Sequence, residues 1–193
     1  MTENHGPGIT AGEVLATFPE LTEIKDESLR LKVAAIWQEV FAESPWKSLQ
    51  EVPKNPATLP ASITLVAHTR SVTRQALAIA EVAQEIHGLG YDRDLLIAAA
   101  NLHDVSKLVE YEPKDDGGAG LGEFGEKVQH GMYGVHKAIN HGLPLDVVHA
   151  IAVHTKHSHD LPCTWEALIV HYADYADTDG LLMSEGAKIS LQK

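Results

Sequence analysis

"AAANLHDVSK", Ala98 to Lys107, ends an apolar helical run on an imidazole and a carboxylate side by side, His103 and Asp104. Burying both without partners is costly. Their position at the end of a core-facing run therefore asks for a compensating group, and a metal ion is one candidate. On a helix the two side chains lie about 100° apart, close enough to converge on one ion between them. Lys107, four residues from His103 and three from Asp104, projects toward the same region. Taken alone, the pair reads more simply as a histidine paired locally with an aspartate at a helix end.

Outward from this stretch the hydrophobic period is helical nearly throughout, with no convincing alternating strand, so an all-α fold is expected. Asp92 is placed to cap a helix over "RDLLIAAANLHDVSKLV". Before it, Ser62 starts a long helix over "ITLVAHTRSVTRQALAIAEVAQEIH", with Gly88 as C-cap. After it, "EYEPKDDGGAGLGEFGEK" reads as a long glycine-rich loop, either a lid between two helices or a disordered segment. Three further helices follow: "QHGMYGVHKAINH", "PLDVVHAIAVHTKH" with Pro144 in its first turn, and "TWEALIVHYADYAD" with Thr164 as N-cap. The chain beyond Gly180 is weakly patterned. Toward the N-terminus, Thr10 caps a short helix through Phe18. "DESLRLKVAAIWQEVFAES" then places Leu29, Val33, Ile36, Trp37, Val40 and Phe41 on one face. "PWKSLQEVPKNPATLP", with four prolines, breaks the pattern and reads as a loop or linker. The organisation expected is an N-terminal helical extension and Pro-rich loop over 1–61, a main helical body over 62–180, and a tail over 181–193.

The chain has 193 residues, 44% apolar and 22% charged, which suits one soluble domain with a sizeable core. Its net charge of -12 argues against nonspecific nucleic-acid binding and against a basic membrane-surface patch. An acidic chain still binds a phosphate where metal ions supply local positive charge. The one cysteine, Cys163, allows no internal disulfide and points to a reducing compartment. "MTENHGPGIT" lacks the pattern of a secretory signal, and no run approaches the roughly 18 apolar residues of a membrane span. A cytoplasmic protein is expected. Trp37 and Trp46 would serve a homo-oligomer interface or, by default, ordinary core packing.

Twelve histidines, most of them between 103 and 171, are the unusual feature of the composition. His68 sits early in a long apolar helix, and His130 opens the helix after the glycine loop. His154 ends the run "VVHAIAVH", and Asp174 follows the run "ALIVHYAD". With His103 and Asp104, five helices would each bring imidazole or carboxylate to an inner face, a donor mixture suited to first-row transition metals.

The order His68, His103-Asp104, His130, His154, Asp174 resembles the HD-domain superfamily of metal-dependent phosphohydrolases. "HDVSK" is similar to that family's His-Asp-x-x-Lys turn, "HGMYGVHKAINHGLPLDVVHAIAVHT" to its two-helix segment with a histidine at each end, and "EALIVHYADYAD" to its closing helix. The resemblance covers about 62–178 and implies an all-helical bundle. It further implies that His68, His103, Asp104 and Asp174 hold one divalent ion, and that His130 and His154 hold a second, with Asp104 bridging. The ions would be manganese, iron, cobalt or similar. Asp104 and Lys107 would be catalytic, Asp104 orienting the nucleophile and Lys107 stabilising charge on the phosphoryl oxygens. The implied reaction is hydrolysis of a nucleotide or other small phosphoester by metal-activated water. A minority branch of the superfamily places two irons in the same six ligands and cleaves a small polar substrate with dioxygen. A noncatalytic, metal-stabilised module would be expected to have lost a ligand.

His136, His141 and His149 match no ligand position. His157 and His159 would line the pocket mouth, and His171, one turn before Asp174, is a competing ligand or a partner to one. His5 and His87 read as solvated. Arg70, Arg74, Lys127 and Lys156 are weaker candidates than Lys107 for contacting an anion, and Arg70 should face away from His68. The glycine-rich segment has no preceding strand and no Lys-Ser/Thr pair, so it is not a nucleotide-binding P-loop. Cys163 has no partners that would make it a nucleophile.

Overall fold

A computed structural model describes residues 8–155 and 158–190. His5, Lys156 and His157 lie outside the described residues. The order of elements is α1 (Ala11–Thr17), α2 (Glu27–Ala42), α3 (Leu65–His87), α4 (Arg93–Leu102), α5 (Lys107–Glu110), β1 (Tyr111–Pro113), β2 (Ala119–Leu121), α6 (Glu123–Lys127), α7 (Met132–Asn140), α8 (Leu145–Val153) and α9 (Trp165–Ser184). The all-α expectation stands. The caps are those expected at three starts: Thr10, Asp92 and Thr164 accept from the backbone amides of Glu13, Leu95 and Ala167; Asp26, not singled out from sequence, caps α2. Gly88 closes α3 at φ 70. The long helix starts at Thr64 rather than Ser62, because the Thr64 side chain takes the free amide of Ala67.

The bundle is built on α3, which packs against both α4 and α9. In turn α8 packs against α4, α7 and α9. α4 is central, and every residue from Leu96 to Leu108 is buried. The α2 face expected from sequence is buried as predicted, Leu29, Val33, Ile36, Trp37, Val40 and Phe41 all lying in the core. These residues share one hydrophobic cluster with α3, α4, α8 and α9, so the N-terminal helices close the same core as the rest of the described chain. Trp37 stacks on Phe18 with ring centroids 4.4 Å apart and donates its indole N–H to Asn101 Oδ1 at 2.7 Å. Both Trp37 and Trp46 are therefore consumed by packing within the chain.

Three local expectations are corrected. First, the helix over 93–109 is not continuous: it stops at Leu102, and 103–106 form tight i→i+3 turns, with Val105 N–H on Leu102 O and Lys107 N–H on Asp104 O. The cause is His103, whose Nδ1 donates back to the Ala100 carbonyl at 2.7 Å and takes the acceptor that the next helical amide would use. Second, the glycine-rich segment is an antiparallel hairpin, β1 with β2, followed by α6. Three-residue strands are too short to show an alternating pattern. Third, α9 continues past Gly180 to Ser184. No helix among the described residues is long and apolar enough to cross a membrane.

Candidate metal centre

Six side chains expected from sequence converge. His68 sits one turn into α3. His103 and His154 are the C-caps of α4 and α8, Asp104 follows in the tight turn, His130 lies in the turn just before α7, and Asp174 is in mid-α9. One donor atom from each of His68, His103, Asp104 and Asp174 falls within 4.8 Å of the others, and the same holds for Asp104, His130 and His154. Asp104 belongs to both groups through different oxygens. Its Oδ2 faces His68 Nε2 at 3.1 Å and His103 Nε2 at 3.4 Å, while its Oδ1 faces His130 Nε2 at 3.0 Å and His154 Nε2 at 3.6 Å. Asp174 Oδ1 completes the first group, 3.2 Å from His68 Nε2.

Each ring is oriented from behind. His103 Nδ1 donates to the Ala100 carbonyl and His154 Nδ1 to the Ile151 carbonyl, both at 2.7 Å and both three residues back. His68 Nδ1 is held by Asp177 at 2.6 Å, and His130 Nδ1 by Glu110 at 2.7 Å. A carbonyl or carboxylate oxygen only accepts, so each of the four Nδ1 atoms carries a proton, and in the neutral ring each Nε2 lone pair faces inward. This creates an electrostatic conflict. His68 and His103 bring Nε2 atoms to 3.2 Å, and His130 and His154 to 3.3 Å. Two lone pairs cannot bond each other; a proton on one ring or a metal ion between the rings satisfies both, and the neighbouring carboxylates favour either positive charge. The carboxyl ends of α4 and α8, which carry His103 and His154, also favour positive charge. The donor set therefore fits divalent transition-metal ions.

The charges of the cluster are set against burial. Burial opposes charge on Asp104, but the Lys107 ammonium and the His103 ring outweigh it and hold the carboxyl well below the usual range. Burial likewise opposes charge on Asp174, and the hydrogen bond from His68 overrides it and depresses that carboxyl. Against burial, Asp104 and Glu110 draw His130 up to about 9. His154 is pushed down, mainly by burial.

Lys107 meets its expectation of position: Nζ lies 2.6 Å from Asp104 Oδ2, and both side chains are buried. The remaining basic candidates fare differently. Arg70 turns away and forks onto Glu20, Arg74 is exposed, and Lys127 pairs with Glu123 at the cleft edge. His171 is not among the converging donors; its Nδ1 donates to the His154 carbonyl at 2.8 Å, and its ring lies against Tyr175. His141 pairs with Glu39, His136 with Asn140, and His149 accepts from Cys163 N–H.

Sequence reasoning missed Glu110, Asp177 and Lys54. Glu110 is three residues past Lys107 and Asp177 three past Asp174, so each sits one turn beyond an identified residue, a spacing that would have nominated them. Lys54 carried no signal, lying in a proline-rich stretch far from every ligand. The cluster opens into a cleft of about 830 Å³. It is lined by Asp104, Lys107, His130 and Asp174, and also by Tyr111, Leu121, Tyr175, Leu182 and Ile189. The hairpin and α6 form one side. Gly125 of α6 is set so close to Glu110 that a Cβ would lie 2.4 Å from its carbonyl oxygen.

Comparison with known proteins agrees with this architecture. The family described as HD domain matches residues 65–179. The dihydroneopterin 2',3'-cyclic phosphate phosphodiesterase of Methanocaldococcus jannaschii is 35% identical over 165 residues, covering 81% of this chain and 65% of the relative. The chain thus spans slightly less than two thirds of that relative's length. No solved structure matches the chain.

Proposed function

This chain belongs to the HD-domain family, and on that premise we propose that it is a metal-dependent phosphoesterase that hydrolyses a small phosphodiester. In this reading His68, His103, Asp104 and Asp174 hold one divalent ion, and Asp104, His130 and His154 hold a second. The observation that carries it is Asp104, whose two oxygens serve two separate imidazole pairs, each with its Nε2 lone pairs directed inward. Bound divalent ions supply Lewis acidity toward a phosphoryl oxygen and bring the pKa of a water near neutrality.

The protein's own groups do the rest. Asp177 and Glu110 fix the rings of His68 and His130, so the donor atoms need no rearrangement. Lys107, lining the cleft beside Asp104, supplies a fixed positive charge where a phosphoryl group gains negative charge. The aromatic and aliphatic side chains of the lining suit an apolar or planar organic group on the ester. The chemistry is addition of water across one P–O ester bond. A new P–O bond forms, the ester bond breaks, and the departing oxygen takes a proton; a cyclic diester opens to a monoester. The relative's name makes a 2',3'-cyclic phosphate of a pterin-like side chain the first substrate to try.

The test is turnover of a panel containing dihydroneopterin 2',3'-cyclic phosphate, nucleoside 2',3'-cyclic phosphates and simple phosphomonoesters, with manganese, iron or cobalt added. Ring opening to a monoester is expected, with loss of activity in Asp104→Ala. An inert panel, combined with a mixed-valent di-iron EPR signal and substrate-dependent oxygen uptake, would move the assignment to dioxygen chemistry.

A further inference from the structure

The proline-rich stretch that reads as a linker forms part of the site. Lys54 follows Pro53 in "EVPKNPATLP" and is pinned to the start of α3. Its N–H donates to the Ile63 carbonyl at 2.9 Å, Leu65 N–H donates to the Val52 carbonyl at 2.8 Å, and Pro53 bridges Thr64. Thr64 is the N-cap of the helix that carries His68 one turn later. The backbone that positions an expected metal ligand therefore also positions Lys54. Asn55 turns the chain back through bonds from Thr58 N–H and Leu59 N–H to its carbonyl, and Lys54, Asn55 and Thr58 all line the cleft.

The Lys54 side chain is only 7% exposed, and its nearest carboxylate oxygen, Asp174 Oδ1, is 4.0 Å away, beyond hydrogen-bonding reach. Lys107 is different: it already spends one N–H on Asp104 at 2.6 Å. A buried ammonium that no carboxylate bonds is costly, and a second ammonium nearby makes it more so. An oxyanion in the cleft would accept from Lys54 and answer the positive charge of both lysines. Lys54 also lies outside the span matched by the family, 65–179.

We propose that Lys54 is a substrate-binding residue, donating to a non-bridging oxygen of the phosphoryl group that lies over Asp104 and Asp174. This deepens the phosphoesterase reading and rests on it. It makes the N-terminal segment part of the binding site, and it places the anion's charge against two lysines as well as the metal centre.

The experiment uses the full chain loaded with manganese, with inorganic phosphate as probe, and measures phosphate affinity by calorimetry and bound metal by elemental analysis. Lys54→Met is expected to weaken phosphate binding about tenfold or more, the effect of losing one charge-assisted hydrogen bond, with metal content unchanged. Lys54→Arg should stay within about threefold, since it keeps the charge and donors. Lys54→Gln, of similar length and neutral, replaces the Met variant if that one does not fold. Wild-type affinity in a metal-replete Lys54→Met protein would overturn the proposal. So would loss of metal in step with phosphate, which would make Lys54 a support of the metal site, and so would absence of phosphate binding by the wild type. Failure of the phosphoesterase reading shows separately, as a wild type that binds phosphate through Lys54 and turns over no ester.

Discussion

The two halves of the candidate centre are built from different material. The half formed by His68, His103 and Asp174 rests on α3, the end of α4 and the middle of α9, with residue exposures of 1%, 0% and 9%. The half formed by His130 and His154 has one comparable member, His154 at the end of α8 with 1% exposure. Its other member stands in a turn, with a side chain 23% exposed, next to a left-handed glycine and close to the hairpin and α6. Donors on packed helices cannot relax; a donor on a turn can. The first half, with four donors to three, should bind its ion more tightly, and the second should be the one that adjusts to substrate.

The largest effect tests whether the halves are separable at all. Asp104 is the one residue shared by both groups. Asp104→Asn keeps the shape but removes the charge and replaces one oxygen by an N–H donor, which bonds an imidazole lone pair and cannot ligate a cation. Both ions should be lost, and kcat/KM should fall by roughly 10³-fold, at the upper end for removing one electrostatic contact at a reacting centre. Elemental analysis showing one ion fully retained would break the comparison, because the halves would then not be joined through Asp104.

A smaller, paired effect ranks the halves. Asp177→Asn removes the negative charge behind His68, and Glu110→Gln removes the one behind His130. Each should cost about 10–100-fold in metal affinity, but on different ions. In a stepwise metal titration, Asp177→Asn should shift the tighter step and Glu110→Gln the weaker one. A Glu110 variant that moves the tighter step would reverse the order argued above.

The same contrast explains what sequence could reveal. The rigid half was legible because helix periodicity places His68, His103 and Asp174 on faces that also carry the core, so apolar spacing and ligand identity point the same way. The caps Thr10, Asp92 and Thr164 were legible because capping is a local interaction. The turn at 103–106 was not, since it depends on a side-chain bond from His103 to Ala100 O that competes with an otherwise good helical pattern. The hairpin was hidden by strands of three residues, and the glycines within it favoured a loop reading. Lys54 was hidden for a different reason. Its place follows from a single bridge between Pro53 and Thr64, and nothing in "PKNPATLP" encodes which distant side chains that bridge will face. Contacts local in sequence, or periodic in it, could be read; those made by one long-range pairing could not.

The smallest expected effect probes the adjustable half at its hinge. Gly131 separates His130 from α7 at φ 84, and a Cβ there would stand 3.3 Å from His154 Cε1 and 3.5 Å from the Ile151 carbonyl. Gly131→Ala therefore meets two obstacles. The left-handed backbone costs about 1–2 kcal/mol for a residue with a Cβ, lowering Tm by about 2–8 °C at this chain length, and the methyl group presses on an imidazole of the second group. Gly180, in α9 with nothing within 4 Å of its Cβ position and no positive φ, is the matched control. Gly180→Ala should hold or slightly raise Tm, by up to about 1 kcal/mol of stability, and leave both metal steps in place. Gly131→Ala should lower Tm and weaken the second metal step by several-fold, about what 1 kcal/mol delivers, while the first step stays put. Equal movement of both steps would mean that the turn and the helices form one rigid unit, and the distinction between a fixed and an adjustable half would fall.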